Sequence, residues 1–187
     1  MKVLVFDRNS ADEFNAADAA VEMIPDSAII KDGKPFFIPA SSDRWTYSCG
    51  VALRVCRLGK NMPEKFAPRY IDAYAPCITT KPVAADGGLN ALDRCHEGAV
   101  ILGEWRSPED VPDSFEFYVG DALLAKIPVD KTLAARMVAL AGSRGVMKIG
   151  DIIVMNEDCI AENLPVDTRI SARGESADEP LLGFSVK

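Results

Sequence analysis

Apolar residues along this chain fall mostly into short runs broken by glycine, proline and aspartate, a pattern that predicts strands joined by tight turns. Val3, Leu4, Val5 and Phe6 open the chain as a first strand. Ala28-Ile29-Ile30 and Phe36-Phe37-Ile38 flank Lys31-Asp32-Gly33-Lys34. An Asp-Gly pair between apolar runs predicts a hairpin, because glycine tolerates the positive φ of such a turn. Residues 45–58, rich in valine, leucine and aromatics, predict a longer strand. Over 63–73, Phe66, Tyr70 and Ala73 stand at helical spacing behind Pro63, a residue suited to a helix start. The stretch 81–98 has weak periodicity and supports no element. Beyond it, 115–119 and 122–127 flank Gly120-Asp121 as a second hairpin. Leu133, Met137, Leu140 and Ala141 form one helical stripe that Gly142 is placed to end. Strands follow at 152–155, 169–172 and 181–186. Many short strands with two modest helices predict a single α+β domain over 1–187, dominated by sheet.

Composition narrows the function classes. With 187 residues, 48% hydrophobic and 26% charged, the chain has the make-up of an ordinary globular domain. Its longest apolar runs are a few residues, far short of the roughly 20 that cross a bilayer. The opening MKVLVFD reads as a strand and not as an export signal, so the expected location is cytoplasmic. The net charge of −7, with lysine and arginine scattered along the sequence, predicts neither a nucleic-acid nor a membrane partner. Cys49, Cys56, Cys77, Cys95 and Cys159 form no CxxC pair and are expected to be reduced and mostly buried. No GxGxxG, GxxxxGK[ST] or GxSxG motif occurs.

Several segments carry a resemblance. PDSAIIKDGKPFFIP at 25–39, LRVCRLGKN at 53–61, FAPRYIDA at 66–73, LGEW at 102–105 and KIGDII at 148–153 resemble, in the same order, the fumarylacetoacetate hydrolase family in its small single-domain form. The first two blocks are specific, and the last two would be weak alone. The resemblance implies a β-rich mixed β-sandwich roll of the family's C-terminal domain type, usually a homodimer. It also implies chemistry on small oxo-acids with bound Mg²⁺ or Mn²⁺. Such a hard cation needs several carboxylate oxygens and acts as a Lewis acid on the substrate's oxo and acid groups.

The positions that the resemblance marks have lost those oxygens. Two strand glutamates that would share a face fall at Ser48 and Gly50, and a third ligand, an aspartate, falls at Thr79. Among the pocket positions, a histidine falls at Glu13, a lysine at Ile24, a lysine at Arg94, and a substrate loop at 155–158, including Asn156. Arg8 and Asn9 still match. The expectation is a catalytically inactive homologue, a scaffold or small-ligand binder with no cofactor. The alternative is a hydrolase, isomerase or decarboxylase of small oxo-acids with a rearranged site. That site would draw on Asp12, Glu13, Asp86 or Glu97, with Mg²⁺ or Mn²⁺ only in this case. Pairing with an active paralogue and a Cys49 or Cys77 pair with His96 are further alternatives. Glu157-Asp158 is expected to be a solvated acidic turn, and Arg54 and Arg57 to face solvent or carboxylates.

Overall fold

The computed structural model describes residues 1–7, 21–31, 33–83 and 91–187, without the side chains of 158–160. Among them are eleven strands and one α-helix. They are β1 (Lys2–Asp7), β2 (Val21–Pro25), β3 (Ile29–Ile30), β4 (Trp45–Val55), β5 (Ile71–Pro82), β6 (Val100–Leu102), β7 (Ser114–Val119), β8 (Ala122–Pro128), α1 (Lys131–Arg144), β9 (Ile152–Glu162), β10 (Arg169–Gly174) and β11 (Pro180–Ser185). A seven-stranded mixed sheet runs β2-β1-β9-β4-β5-β6-β3, and a four-stranded antiparallel sheet runs β11-β10-β7-β8. This is the sheet-rich α+β roll that the sequence led us to expect.

The large sheet has to curl. Its edge strands β2 and β3 are joined through Asp26–Ala28 alone, and that much chain spans at most about 14 Å. The edges of a flat seven-stranded sheet would stand about 29 Å apart. The concave face is therefore lined by small and β-branched residues: Gly50, Ala52, Ala75 and Cys77, with Val3, Val5, Ile152 and Val154 beside them. The opposite face carries Tyr47, Val51, Leu53, Ile78 and Ile153 into the main core, against Phe115 and Phe117 of the small sheet and Met137 and Val138 of α1. Alternation along β4 and β5 thus feeds two cores at once, since successive side chains point to opposite faces.

Local expectations hold in part. Gly120 adopts φ 56° in the β7–β8 hairpin, and α1 carries the predicted stripe, capped by Asp130, which accepts from the Thr132 and Leu133 amides at 2.9 and 2.8 Å. The helix runs past Gly142 to Arg144, with Gly145 as its C-cap, and Gly142 instead makes room for Met62, which packs where a side chain at 142 would stand. The first hairpin is not formed. Phe36 bridges Val186 in parallel and β3 pairs with β6, so tertiary pairing overrides the turn signal, and Asp32 lies outside the described residues. The helix over 63–73 is instead a 3-10 segment, Glu64–Tyr70, interrupted by Pro68, and Ala73 belongs to β5. The acidic turn at Glu157-Asp158 is part of β9, which continues to Glu162 through bulges opposite Ser48. Of the four described cysteines only Cys49 and Cys77 are buried.

Candidate functional site

Polar residues gather at one mouth of the roll, where β1 ends and the outer halves of β4, β5 and β9 pass. Register sets the arrangement. Asp7 pairs with Asn156, Asn156 with Gly50, and Ser48 with Thr79, so all five face the concave side. Asn156 Nδ2 donates to Asp7 Oδ1 at 2.8 Å, and the Thr79 hydroxyl donates to Asn156 Oδ1 at 3.1 Å. This chain links β1, β9 and β5 by reaching over β4, where Gly50 presents no side chain. Lys81, two residues beyond Thr79 and so on the same face, places its ammonium 3.8 Å from Asp7 Oδ2.

Arg94 closes the mouth. It sits in the 3-10 segment Ala91–Arg94, buried, with Nη1 donating to the Thr80 carbonyl at 2.5 Å and Nε 2.8 Å from Glu22 Oε2. Nε and Oε2 have no other partner among the described residues, and the N–H is not aimed along the line between them, so the contact is an ion pair and not a linear hydrogen bond. Burial pulls the Arg94 pKa down against the opposing pull of Glu22 and Asp7, but a guanidinium stays charged in proteins. Glu22 belongs to β2 and Thr80 to β5, so one side chain ties two strands that stand four places apart in the sheet.

The marked metal positions do not fit a dication. Ser48 and Thr79 offer neutral hydroxyls, and that of Thr79 is spent on Asn156. At Gly50 even a Cβ would lie 2.8 Å from the Met155 carbonyl oxygen and 3.2 Å from Cys77 Sγ, so a glutamate cannot be placed there without moving β9. Among the described residues the charges at the mouth are Asp7, Glu22, Lys81 and Arg94, and these pair Asp7 with Lys81 and Glu22 with Arg94. A divalent ion needs several uncommitted anionic oxygens. Among the described residues no three His, Cys, Asp or Glu side chains converge on one point.

Other expected positions fall as follows. Ile24 is fully buried inside the roll, beside Val3. Arg8, Asn9, Glu13, Asp12 and Asp86 lie outside the described residues, and Glu97 is exposed. Among the described residues no cysteine–histidine pair forms. His96 Nδ1 donates to the Asp93 carbonyl at 3.0 Å, and its Nε2 lies 2.8 Å from the Thr80 hydroxyl. Cys49 faces the main core and Cys77 the roll interior, where burial pushes its thiol up and away from the reactive thiolate. Arg54 pairs with Asp72 at 2.8 Å, and Arg57 is exposed. Sequence reasoning passed over Asp7, Glu22 and Lys81. Only Lys81 gave a signal, its two-residue spacing from Thr79.

No protein-family model matches the chain, and no curated protein matches it. Solved structures do. The fumarylpyruvate hydrolase of Pseudomonas aeruginosa, solved in complex with Mn²⁺ and pyruvate, superposes with a TM-score of 0.81 at 13% identity, covering 100% of this chain and 89% of that one. The 5-carboxymethyl-2-hydroxymuconate delta-isomerase of Mycobacterium smegmatis gives 0.78 at 19% identity, over 99% and 78%. The maleylpyruvate hydrolase of Sphingobium sp. SYK-6 gives 0.77 at 17%, over 99% and 69%. At these identities the likeness establishes a shared fold, the one that the sequence resemblance implied.

Proposed function

We propose that this chain, built on the fumarylacetoacetate hydrolase fold, is a catalytically inactive homologue serving as a scaffold or as a binder of a small oxo-acid. One observation carries the reading: among the described residues each charge at the mouth of the roll is paired with an opposite one. Where a metal-dependent site needs converging carboxylates, β4 supplies Ser48 and Gly50, and Thr79 and Asn156 form a hydrogen-bonded strut. Lys81 and Arg94 are the groups available to a small carboxylate, each already held by an acidic neighbour. Homodimer formation is part of the proposal, and light scattering is expected to give about twice the 20.2 kDa chain mass.

The test is direct. Purified protein is expected to hold much less than one Mg²⁺ or Mn²⁺ per chain and to leave oxaloacetate and acylpyruvates unchanged when either ion is supplied. Stoichiometric metal, removable by a chelator with loss of turnover, would refute the reading. A second reading, an enzyme with a rearranged site, is favoured by the largely buried Asp7 carboxylate beside the Lys81 ammonium, a pair suited to proton transfer. It requires turnover that Asp7→Asn abolishes.

A further inference from the structure

Segments 56–70 and 143–150 adjoin at the end of β4 and β5 opposite the polar mouth. Gly59 and Met147 exchange backbone hydrogen bonds at 3.0 and 2.9 Å, the Cys56 amide donates to the Tyr70 carbonyl at 2.9 Å, and the Asn61 amide donates to the Gly142 carbonyl at 2.8 Å. In such an antiparallel bridge the residues on either side of the pair share one face. Met147 turns inward and is buried, while Leu58, Lys60, Val146 and Lys148 turn outward.

Folding makes this end basic. The two segments contain Arg57, Lys60, Lys65, Arg69, Arg144 and Lys148 against Glu64 alone, a balance of +5 in a chain of −7, which leaves −12 elsewhere. Among the described residues ten other lysines and arginines each pair with a carboxylate. None of these six does, nor do Lys131 and Arg169 elsewhere, and Lys65 and Arg69 lie instead over the Phe66 ring at 4.8 and 5.0 Å. Between the cations stand exposed apolar side chains: Leu58 at 67%, Ile149 at 72%, Val146 at 45% and Phe66 at 39%. Scattered exposed apolar residues are ordinary. Here Leu58 and Val146 are brought beside Lys148 and Lys60 by the bridge, and apolar groups interleaved with unpaired cations on adjoining turns are a binding signature.

From this segregation we propose that the 56–70 and 143–150 end is a docking surface for an anionic lipid bilayer. A second copy meeting it face to face would set +5 against +5. A nucleic acid would answer the cations but leave Leu58, Val146 and Ile149 in water; those aliphatic groups offer bases no stacking surface, and the Phe66 ring is already covered by Lys65 and Arg69. A bilayer interface answers both, drawing lysine and arginine to its headgroups and taking apolar tips into the headgroup boundary. The acidic remainder, repelled by the same surface, turns this end toward it. No helix among the described residues is long and apolar enough to cross a membrane. The sequence, with its cations spread over some ninety positions, predicted no membrane partner; only the bridge between Gly59 and Met147 brings them together. The inference stands whether or not the roll's mouth is catalytic.

Cosedimentation of the whole chain with phosphatidylcholine vesicles, plain or containing about one-third phosphatidylserine, tests it. Binding is expected to the anionic vesicles only, and to fall at least about tenfold in both Lys60→Glu/Lys148→Glu and Leu58→Ser/Ile149→Ser. Equal behaviour with both vesicles, or indifference to either double substitution, would overturn the proposal. So would binding to a short DNA duplex as tight as to the anionic vesicles and unaffected by Leu58→Ser/Ile149→Ser, which would assign the patch to a polyanion.

Discussion

At Gly50 a single hydrogen stands where the concave face of β4 meets β9, and the space beyond it is already taken by the Met155 carbonyl and the Cys77 thiol. Adding one methyl there is an overpacking change, which typically costs about 1–3 kcal/mol. Gly50→Ala is therefore expected to lower the urea midpoint by that margin, and Gly50→Glu by more. A Gly50→Glu chain as stable as the parent would show that a carboxylate fits after all. A second residue sets an acid limit. Asp151 is buried and accepts from the Lys2 ammonium and from the Lys148 and Lys2 amides, the last two at 2.8 and 3.1 Å. Burial alone would raise its pKa, but these donors outweigh it and hold the carboxyl below its ordinary value. A depressed folded pKa means stability that is present above the unfolded value, near pH 4, and lost as pH falls through the folded one. Asp151→Asn should thus cost about 2 kcal/mol at neutral pH and progressively less in unfolding series taken below pH 4. A cost independent of pH would contradict the charge-based account.

At the scale of elements, what stands out is how the roll is held shut. β2 and β5 do not touch in the sheet, yet Arg94 joins Glu22 of one to the Thr80 carbonyl of the other. Removing the buried Arg94 strands the charge of Glu22; because Glu22 keeps 29% exposure, the cost is about 2 kcal/mol, less than in a fully buried pair. Arg94→Met is expected to destabilise by about that much, and the added Glu22→Gln to recover part of it; additive losses in the double-mutant cycle would argue against the clamp. Much of the element order was legible in the sequence, because β4 is rich in valine, leucine and aromatics, β7 and β8 flank a Gly-Asp turn, and α1 carries a helical stripe. The clamp was not, since Glu22 and Arg94 are 72 positions apart and neither lies on a periodic face. The bulges that carry β9 past Asn156 were hidden too, because a bulge is fixed by the partner strand and not by its own residues. The Asp-Gly signal at 32–33 misled for a related reason: Phe36 found Val186, a partner supplied by the far end of the chain.

For the whole molecule, the two ends of the roll are chemically opposite. Among the described residues one mouth holds two opposite-charge pairs, and the other end gathers cations with no carboxylate partner. That Ser48, Gly50 and Thr79 carry no carboxylate was readable in the sequence, because residue type is read directly. That the remaining charges neutralise one another was not, because Asp7, Lys81, Glu22 and Arg94 meet only through the curl of the sheet. The central claim, a mouth unable to hold a dication, is tested most directly by thermal-shift titration with Mg²⁺ and Mn²⁺, with and without oxalate as an enolate mimic. Anything that binds the folded chain alone must raise its melting temperature by mass action. A flat response through millimolar metal, with oxalate present or absent, is the expected result. A saturable rise with Mn²⁺ that oxalate enhances would contradict it.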